Sequence, residues 1–139
     1  MRAPSPRTVT GLMGATRVAI GVVGWIAPER FTRDAMATPD AVLMTRSFAI
    51  RETVLGLGGV LATTTARPSS GRVATWAGLG ALTDLGDLVA ASLGRRRRGR
   101  AALVPVGLAG AGLCIELWAL ARSRSLHRGS SGRTSHNSR

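Results

Sequence analysis

The arginines of this chain are almost entirely excluded from four long apolar segments. These segments cover residues 8–27, 47–66, 73–93 and 101–121. Each has the roughly 20 residues that a helix needs to cross the hydrocarbon core of a bilayer. Of the 19 arginines, only Arg17 and Arg51 fall inside a segment. Since charges gathered between apolar segments are typical of membrane spans, the pattern predicts four transmembrane helices.

The formal net charge of +12 on a chain that is 45% hydrophobic indicates either a nucleic-acid-binding protein or a membrane protein. The segregation of the arginines favours the membrane protein, so no nucleic acid partner is expected. A soluble, basic nucleic-acid-binding protein stays the less favoured alternative. Cys114 is the only cysteine, which excludes a disulfide scaffold and a cysteine-based zinc module.

No common catalytic motif is present in the sequence. A P-loop, a dinucleotide-binding fingerprint and a nucleophile elbow are all missing. Asp84 and Asp87 lie one helical turn apart, but the longer Asp-rich signature of membrane phosphotransferases is absent. We therefore expect a protein that is not an enzyme and that binds no metal and no cofactor.

Glycine is concentrated in the apolar segments, which hold 13 of the 18 glycines. A glycine inside a soluble helix costs about 1 kcal/mol relative to alanine. In a bilayer, small residues instead allow helix backbones to approach closely. The predicted fold is therefore all-α, a four-helix transmembrane bundle with short loops.

Capping signals locate the helix starts. Ser5 before Pro6 and Thr38 before Pro39 each combine an N-cap residue with a proline at the first helical position. The second helix is therefore expected to begin before its apolar part. Pro105 is expected either to kink the last helix or to mark its start.

The chain divides into an N-terminal tail at 1–7, a four-span domain at 8–121 and a disordered Arg- and Ser-rich tail at 122–139. Tight connections are expected at 67–72 and 94–100. The predicted location is the inner membrane of a bacterium, as a multi-pass protein. With the termini inside, 9 arginines lie inside and 8 outside, which sets no orientation.

The ends of the spans are expected to contact lipid. An arginine near an anionic membrane surface contributes about 1 kcal/mol. The residues expected to contact anionic headgroups are Arg95, Arg96, Arg97, Arg98 and Arg100. The residues expected to be interfacial anchors are Trp25, Trp76 and Trp118.

Six ionisable residues fall inside the spans, four acids against two arginines. They are Arg17, Arg51, Glu52, Asp84, Asp87 and Glu116. Each span has a face of small residues that also carries charge, so the four faces are predicted to pack together with the arginines neutralising the acids. Arg46, at the head of the second apolar stretch, is expected to reduce the excess of two negative charges.

Two interpretations of this polar network remain open. In the first, which we favour, buried ion pairs fix the register of the helices in a non-enzymatic structural or partner-binding subunit. A second copy of the chain or another membrane protein would be the partner. In the second, the chain is a small proton- or cation-coupled transporter that uses Glu52, Asp84 and Asp87.

Three stretches of the chain carry a family resemblance. They are Arg17-Val-Ala-Ile-Gly21 leading to Trp25 and Ala27-Pro28, Arg46-Ser-Phe-Ala-Ile-Arg51-Glu52-Thr-Val-Leu-Gly56, and Asp84-Leu-Gly-Asp87. Over residues 8–121 the chain resembles an uncharacterised family of small actinobacterial four-helix membrane proteins, and it is loosely similar to DoxX-like proteins. Ala49 stands where members commonly have glycine. The resemblance implies four spans and emphasises the arginines and acids of these motifs, but it implies no activity.

Overall fold

A computed structural model of the chain describes residues 4–31, 38–65, 69–98 and 103–131. Within these ranges the chain is helical and contains no strand. The helices are α1 (Pro6–Ile26), α2 (Pro39–Thr64), α3 (Ser70–Arg98) and α4 (Leu103–Ser131), with a short 3₁₀ turn at Pro28–Arg30. The prediction of an all-α protein with four helices is confirmed.

The first two helices begin where their capping residues predict. The Oγ of Ser5 accepts a hydrogen bond from the N–H of Thr8 at 3.1 Å, and Pro6 opens α1. The Oγ1 of Thr38 accepts from the N–H of Ala41 at 3.3 Å, and α2 begins at the following proline. Each side chain satisfies an N–H that has no partner inside its helix. α2 therefore starts well before its apolar stretch, as expected.

Two helices run further than their apolar segments. α3 continues to Arg98 through most of the expected connection at 94–100. α4 continues to Ser131 through the first ten residues of the tail expected to be disordered from residue 122, and residues 132–139 lie outside the described ones. Arginine and leucine are good helix formers, and no proline interrupts either extension. Pro105 is the third residue of α4, where a missing N–H removes no helical hydrogen bond, so it marks the start of the helix.

The bundle consists of two helix pairs. α1 packs mainly against α2, which we call the first pair, and α3 packs mainly against α4, which we call the second pair. The pairs meet between α1 and α4 and between α2 and α3. The Nε of Arg7 donates to the carbonyl of Thr63 at 2.7 Å, which joins the start of α1 to the end of its antiparallel neighbour.

The interior of the bundle consists of small and charged residues. Its buried apolar side chains are five alanines and Val73, and no large side chain among the described residues is fully buried. In contrast, twenty large hydrophobic side chains on the described residues are exposed, and they occur on all four helices. This distribution is the reverse of that in a water-soluble bundle.

Among the described residues, α1 is the one helix that is long and apolar enough to span a membrane by length and composition alone. Core helices of soluble proteins and signal sequences share these properties. In α2 and α3, the charges near the middle of the helix lower its apolar character.

Candidate functional site

One charged residue from each helix meets at the centre of the bundle. Arg17 of α1, Glu52 of α2, Asp84 of α3 and Glu116 of α4 form what we call the ionic centre. Each lies within one residue of the midpoint of its helix, and none is more than 6% exposed. The four helices therefore converge on a single buried layer of charge halfway along the bundle.

The guanidinium of Arg17 connects the other three helices. Its Nη1 donates to Oε2 of Glu52 at 2.6 Å, and its Nη2 donates to Oδ1 of Asp84 at 2.7 Å. The same Nη2 lies 3.5 Å from the carbonyl oxygen of Gly80. Arginine suits this position because its planar fork presents five N–H donors in fixed directions.

Glu116 is the most weakly held member of the ionic centre. Nε and Nη2 of Arg17 both donate to its Oε1, at 3.3 and 3.1 Å. Its Oε2 is buried and has no hydrogen-bond partner. Because both donors go to one oxygen, the side chain lacks the two-oxygen contact that makes arginine–carboxylate pairs strong.

Glycines in the second pair make room for the two acids. A Cβ atom on Gly80 of α3 would collide with the carboxylate of Glu116 on α4. A Cβ atom on Gly112 of α4 would collide with the carboxylate of Asp84 on α3. The two contacts are reciprocal, since each helix carries a glycine four residues before its acid. Each acid lies in the space left by the glycine of the neighbouring helix.

Glycines in the first pair bring the two backbones into contact. A Cβ atom on Gly14 would lie 2.7 Å from the carbonyl oxygen of Gly56, and one on Gly56 would lie 2.5 Å from the carbonyl oxygen of Gly14. A Cβ atom on Gly21 would lie 2.6 Å from the carbonyl oxygen of Ala49. This close approach places Arg17, midway between Gly14 and Gly21, against α2.

A second ion pair lies beside the ionic centre and nearer to the surface. Nη1 and Nη2 of Arg51 donate to Oδ1 and Oδ2 of Asp87 at 3.0 and 2.6 Å. Nη2 also reaches Oε1 of Glu52 at 3.3 Å, which joins the pair to the ionic centre. The side chains of Arg51 and Asp87 are 37% and 33% exposed. Asp84 and Asp87 therefore face different arginines, although they are only three residues apart.

The structure does not bring Arg46 to the ionic centre. Arg46 is exposed, and its guanidinium lies 5.6 Å from the ring centroid of Trp25. Trp118 lies near the middle of α4, and the guanidinium of Arg122 lies 5.9 Å from the centroid of its ring. Trp76 instead packs its ring against Gly58 in the contact between α2 and α3.

The arginines expected to contact headgroups are only partly described. Arg95, Arg96, Arg97 and Arg98 form the last turn of α3, and Arg100 lies outside the described residues.

The contacts of the ionic centre are ion pairs between Arg17 and three carboxylates. The described residues contain no group of three or more His, Cys, Asp or Glu side chains arranged to hold a metal ion. The guanidinium of Arg17 occupies the point where the three carboxylates converge, and its positive charge disfavours a metal cation there.

The sequence did not predict that Asp84 and Glu116 would each lie against a glycine of the neighbouring helix. A signal for this arrangement was present, because Gly80-x3-Asp84 and Gly112-x3-Glu116 repeat the same spacing in consecutive helices. When two antiparallel helices each carry a small residue one turn before an acid, the acid of each helix can lie against the small residue of the other.

No family model, curated protein or solved structure matches this chain. The resemblance given for residues 8–121 therefore stays a prediction, and inference about function rests on the bundle itself.

Proposed function

We propose that this chain is a multi-pass integral membrane protein, a non-enzymatic structural or partner-binding subunit whose buried charges hold its four helices in register. The observation that carries the proposal is the reversed distribution of its side chains. The large hydrophobic side chains face outward, and one charged side chain of every helix faces inward. Lipid is the solvent in which that distribution is favourable.

The exposed apolar surface supports a membrane location. Leu12 and Ile26 on α1, Leu43 and Met44 on α2, and Leu82 on α3 are each at least 65% exposed. A contiguous apolar surface of more than a few hundred Å² on a soluble monomer marks an interaction site or leads to aggregation. Acyl chains would cover this surface on all four helices, and part of it is available to a second membrane protein or a second copy.

The position of the ionic centre supports a role in assembly. If the helices span a bilayer, residues at their midpoints lie near its central plane, where an unpaired charge costs about 2.5–3.5 kcal/mol on insertion scales. Such a charge strongly favours the one arrangement that pairs it. Arg17 can satisfy the acids of α2, α3 and α4 only when all four helices are in register.

Membrane fractionation tests this proposal. We expect the protein to stay with membranes through a high-salt and alkaline-carbonate wash and to be released by detergent. As a matched control, replacing Arg95, Arg96, Arg97 and Arg98 by glutamine removes the positive charge at the end of α3. The variant should resist both washes equally, because the apolar surface holds the protein. Release of the parent by salt alone would overturn the proposal and favour a peripheral or nucleic-acid-bound protein.

A further inference from the structure

The charged residues inside the bundle do not balance. Arg17 and Arg51 are in contact with four carboxylates, those of Glu52, Asp84, Asp87 and Glu116. With all of them ionised, the group has a net charge of two negatives. A buried excess charge is unfavourable in a medium of low dielectric, and an acid responds by keeping its proton.

The contacts distinguish which carboxylate keeps the proton. Glu52 uses both oxygens, one on each arginine, and Asp87 uses both oxygens on Arg51. Asp84 receives a short hydrogen bond of 2.7 Å from Arg17. Glu116 has the longest contacts with Arg17, and its Oε2 is buried without a partner. The side chain of Glu116 is 7% exposed, so no bulk water compensates that oxygen.

We propose that Glu116 carries a proton on Oε2 in the folded bundle, which makes the ionic centre a buried proton-binding site. The inference rests on the proposed membrane location, because lipid removes the water that would otherwise stabilise the excess charge. Three charged groups face Glu116, namely Arg17 on α1, Asp84 on α3 and Glu52 on α2. A proton fits this position better than a metal cation, since Arg17 already fills the centre of the cluster.

Protonation of Glu116 links the bundle to pH. The unfolded chain exposes Glu116 to water, where a glutamate is ionised at neutral pH. Folding therefore takes up a proton, and a state that binds more protons becomes less stable as the pH rises. At alkaline pH, three ionised carboxylates share one guanidinium, and the repulsion between Glu116 and Asp84 weakens the contact between α3 and α4.

Infrared spectroscopy of the protein in vesicles of ether lipids, which have no ester carbonyl, detects the proton directly, because a protonated carboxyl group has a carbonyl stretch distinct from that of a carboxylate. At pH 7 we expect this band in the parent protein and its complete loss in Glu116→Gln. The matched control is Glu29→Gln, which changes an exposed glutamate of the 3₁₀ turn and should retain the band. A parent without the band, or a band that survives Glu116→Gln, would overturn the inference.

Thermal unfolding tests the proton site independently of the infrared band. Glutamine is a neutral isostere of protonated glutamate, so Glu116→Gln should melt within a few degrees of the parent at pH 7. The parent should lose thermal stability between pH 7 and pH 9, and the variant should lose less. Equal pH profiles for the two proteins would contradict the proton site.

Two further measurements distinguish the proton site from a cation site, and a failure of the proton site from a failure of the proposed function. Replacing choline by sodium in the vesicle buffer should leave the infrared band unchanged, and its loss on adding sodium would show that a cation competes for the site. Recovery of a folded protein without detergent would contradict the proposed function itself. An absent band in protein that fractionates with membranes would contradict only the proton site.

Discussion

The two helix pairs of this bundle use glycine in different ways. In the first pair, Gly14 and Gly56 bring backbone against backbone. In the second pair, Gly80 and Gly112 each face a carboxylate of the other helix. The first contact depends on van der Waals packing between two backbones that are complementary without any charge. The second contact places two acids close together and is favourable only when a cation from outside the pair joins them.

The two helix pairs also differ in the charge that they contribute. The first pair contributes Arg17, Arg51 and Glu52 to the charged cluster, which is one net positive charge. The second pair contributes Asp84, Asp87 and Glu116, which is up to three negative charges. Opposite charges attract strongly where the dielectric is low. The difference indicates that the first pair neutralises its buried acid Glu52 with its own arginines, whereas the second pair needs Arg17 for Asp84 and Glu116 to be buried.

The largest expected effect comes from removing the cation that joins the two pairs. Arg17→Gln leaves Glu52, Asp84 and Glu116 buried around a neutral side chain. Removing one partner of a single buried ion pair costs about 3–5 kcal/mol, and this change affects three acids. We expect the variant to unfold at room temperature in detergent, as measured by circular dichroism and protease sensitivity.

Arg17→Lys is the matched control for this change. Lysine keeps the positive charge but lacks the planar fork that reaches three carboxylates at once. We expect a folded protein of intermediate stability. If Arg17→Gln unfolded at the same temperature as the parent, the ionic centre would have no role in holding the two pairs together.

The next largest effect is expected in the first pair. Gly14→Ala puts a Cβ atom 2.7 Å from the carbonyl oxygen of Gly56, and a backbone atom cannot move aside without separating the helices. Overpacking of this kind costs about 1–3 kcal/mol. Gly86→Ala is the control, since a Cβ atom there meets nothing within 4 Å. Chemical unfolding should show Gly14→Ala clearly destabilised and Gly86→Ala at least as stable as the parent, because alanine is the better helix former. Equal stabilities would show that the backbones of α1 and α2 are not in contact.

A smaller effect is expected from the corresponding change in the second pair. Gly80→Ala pushes the carboxylate of Glu116, which is the end of a flexible side chain and can move, so we expect a loss of about 1 kcal/mol. Glu116→Ala opens the space that the new methyl group needs. In unfolding measurements, the double variant should therefore be destabilised by less than the sum of the two single variants. Additive effects would mean that Gly80 does not accommodate the carboxylate of Glu116.

The sequence was informative where a feature depends on neighbouring residues. The Ser5–Pro6 and Thr38–Pro39 signals located two helix starts, because capping involves residues only three apart. The ends at Arg98 and Ser131 were missed, because a change from apolar to basic residues ends an apolar segment without ending a helix.

The pairing within the charged cluster could not be obtained from spacing. Helical periodicity placed Asp84 and Asp87 on one face, but it did not show that Asp84 faces Arg17 while Asp87 faces Arg51. That division depends on how the two pairs dock, which involves residues more than 30 positions apart. Arg46 illustrates the same limit, since its position near the cluster in sequence did not reveal its contact with Trp25.

The smallest effect is expected at the edge of the contact between the two pairs. Asp87→Asn removes the acid partner of Arg51, but both side chains are about one third exposed and Arg51 keeps its contact with Glu52. Solvent-accessible ion pairs contribute about 0–1 kcal/mol, so the variant should lose no more than that in thermal or chemical unfolding. The matched change Asp84→Asn, three residues earlier, removes an acid that is 6% exposed and bound to Arg17. It should destabilise the bundle by several times as much. If Asp87→Asn were the more damaging of the two, the pairs would be held together at the edge of the bundle and not at its centre.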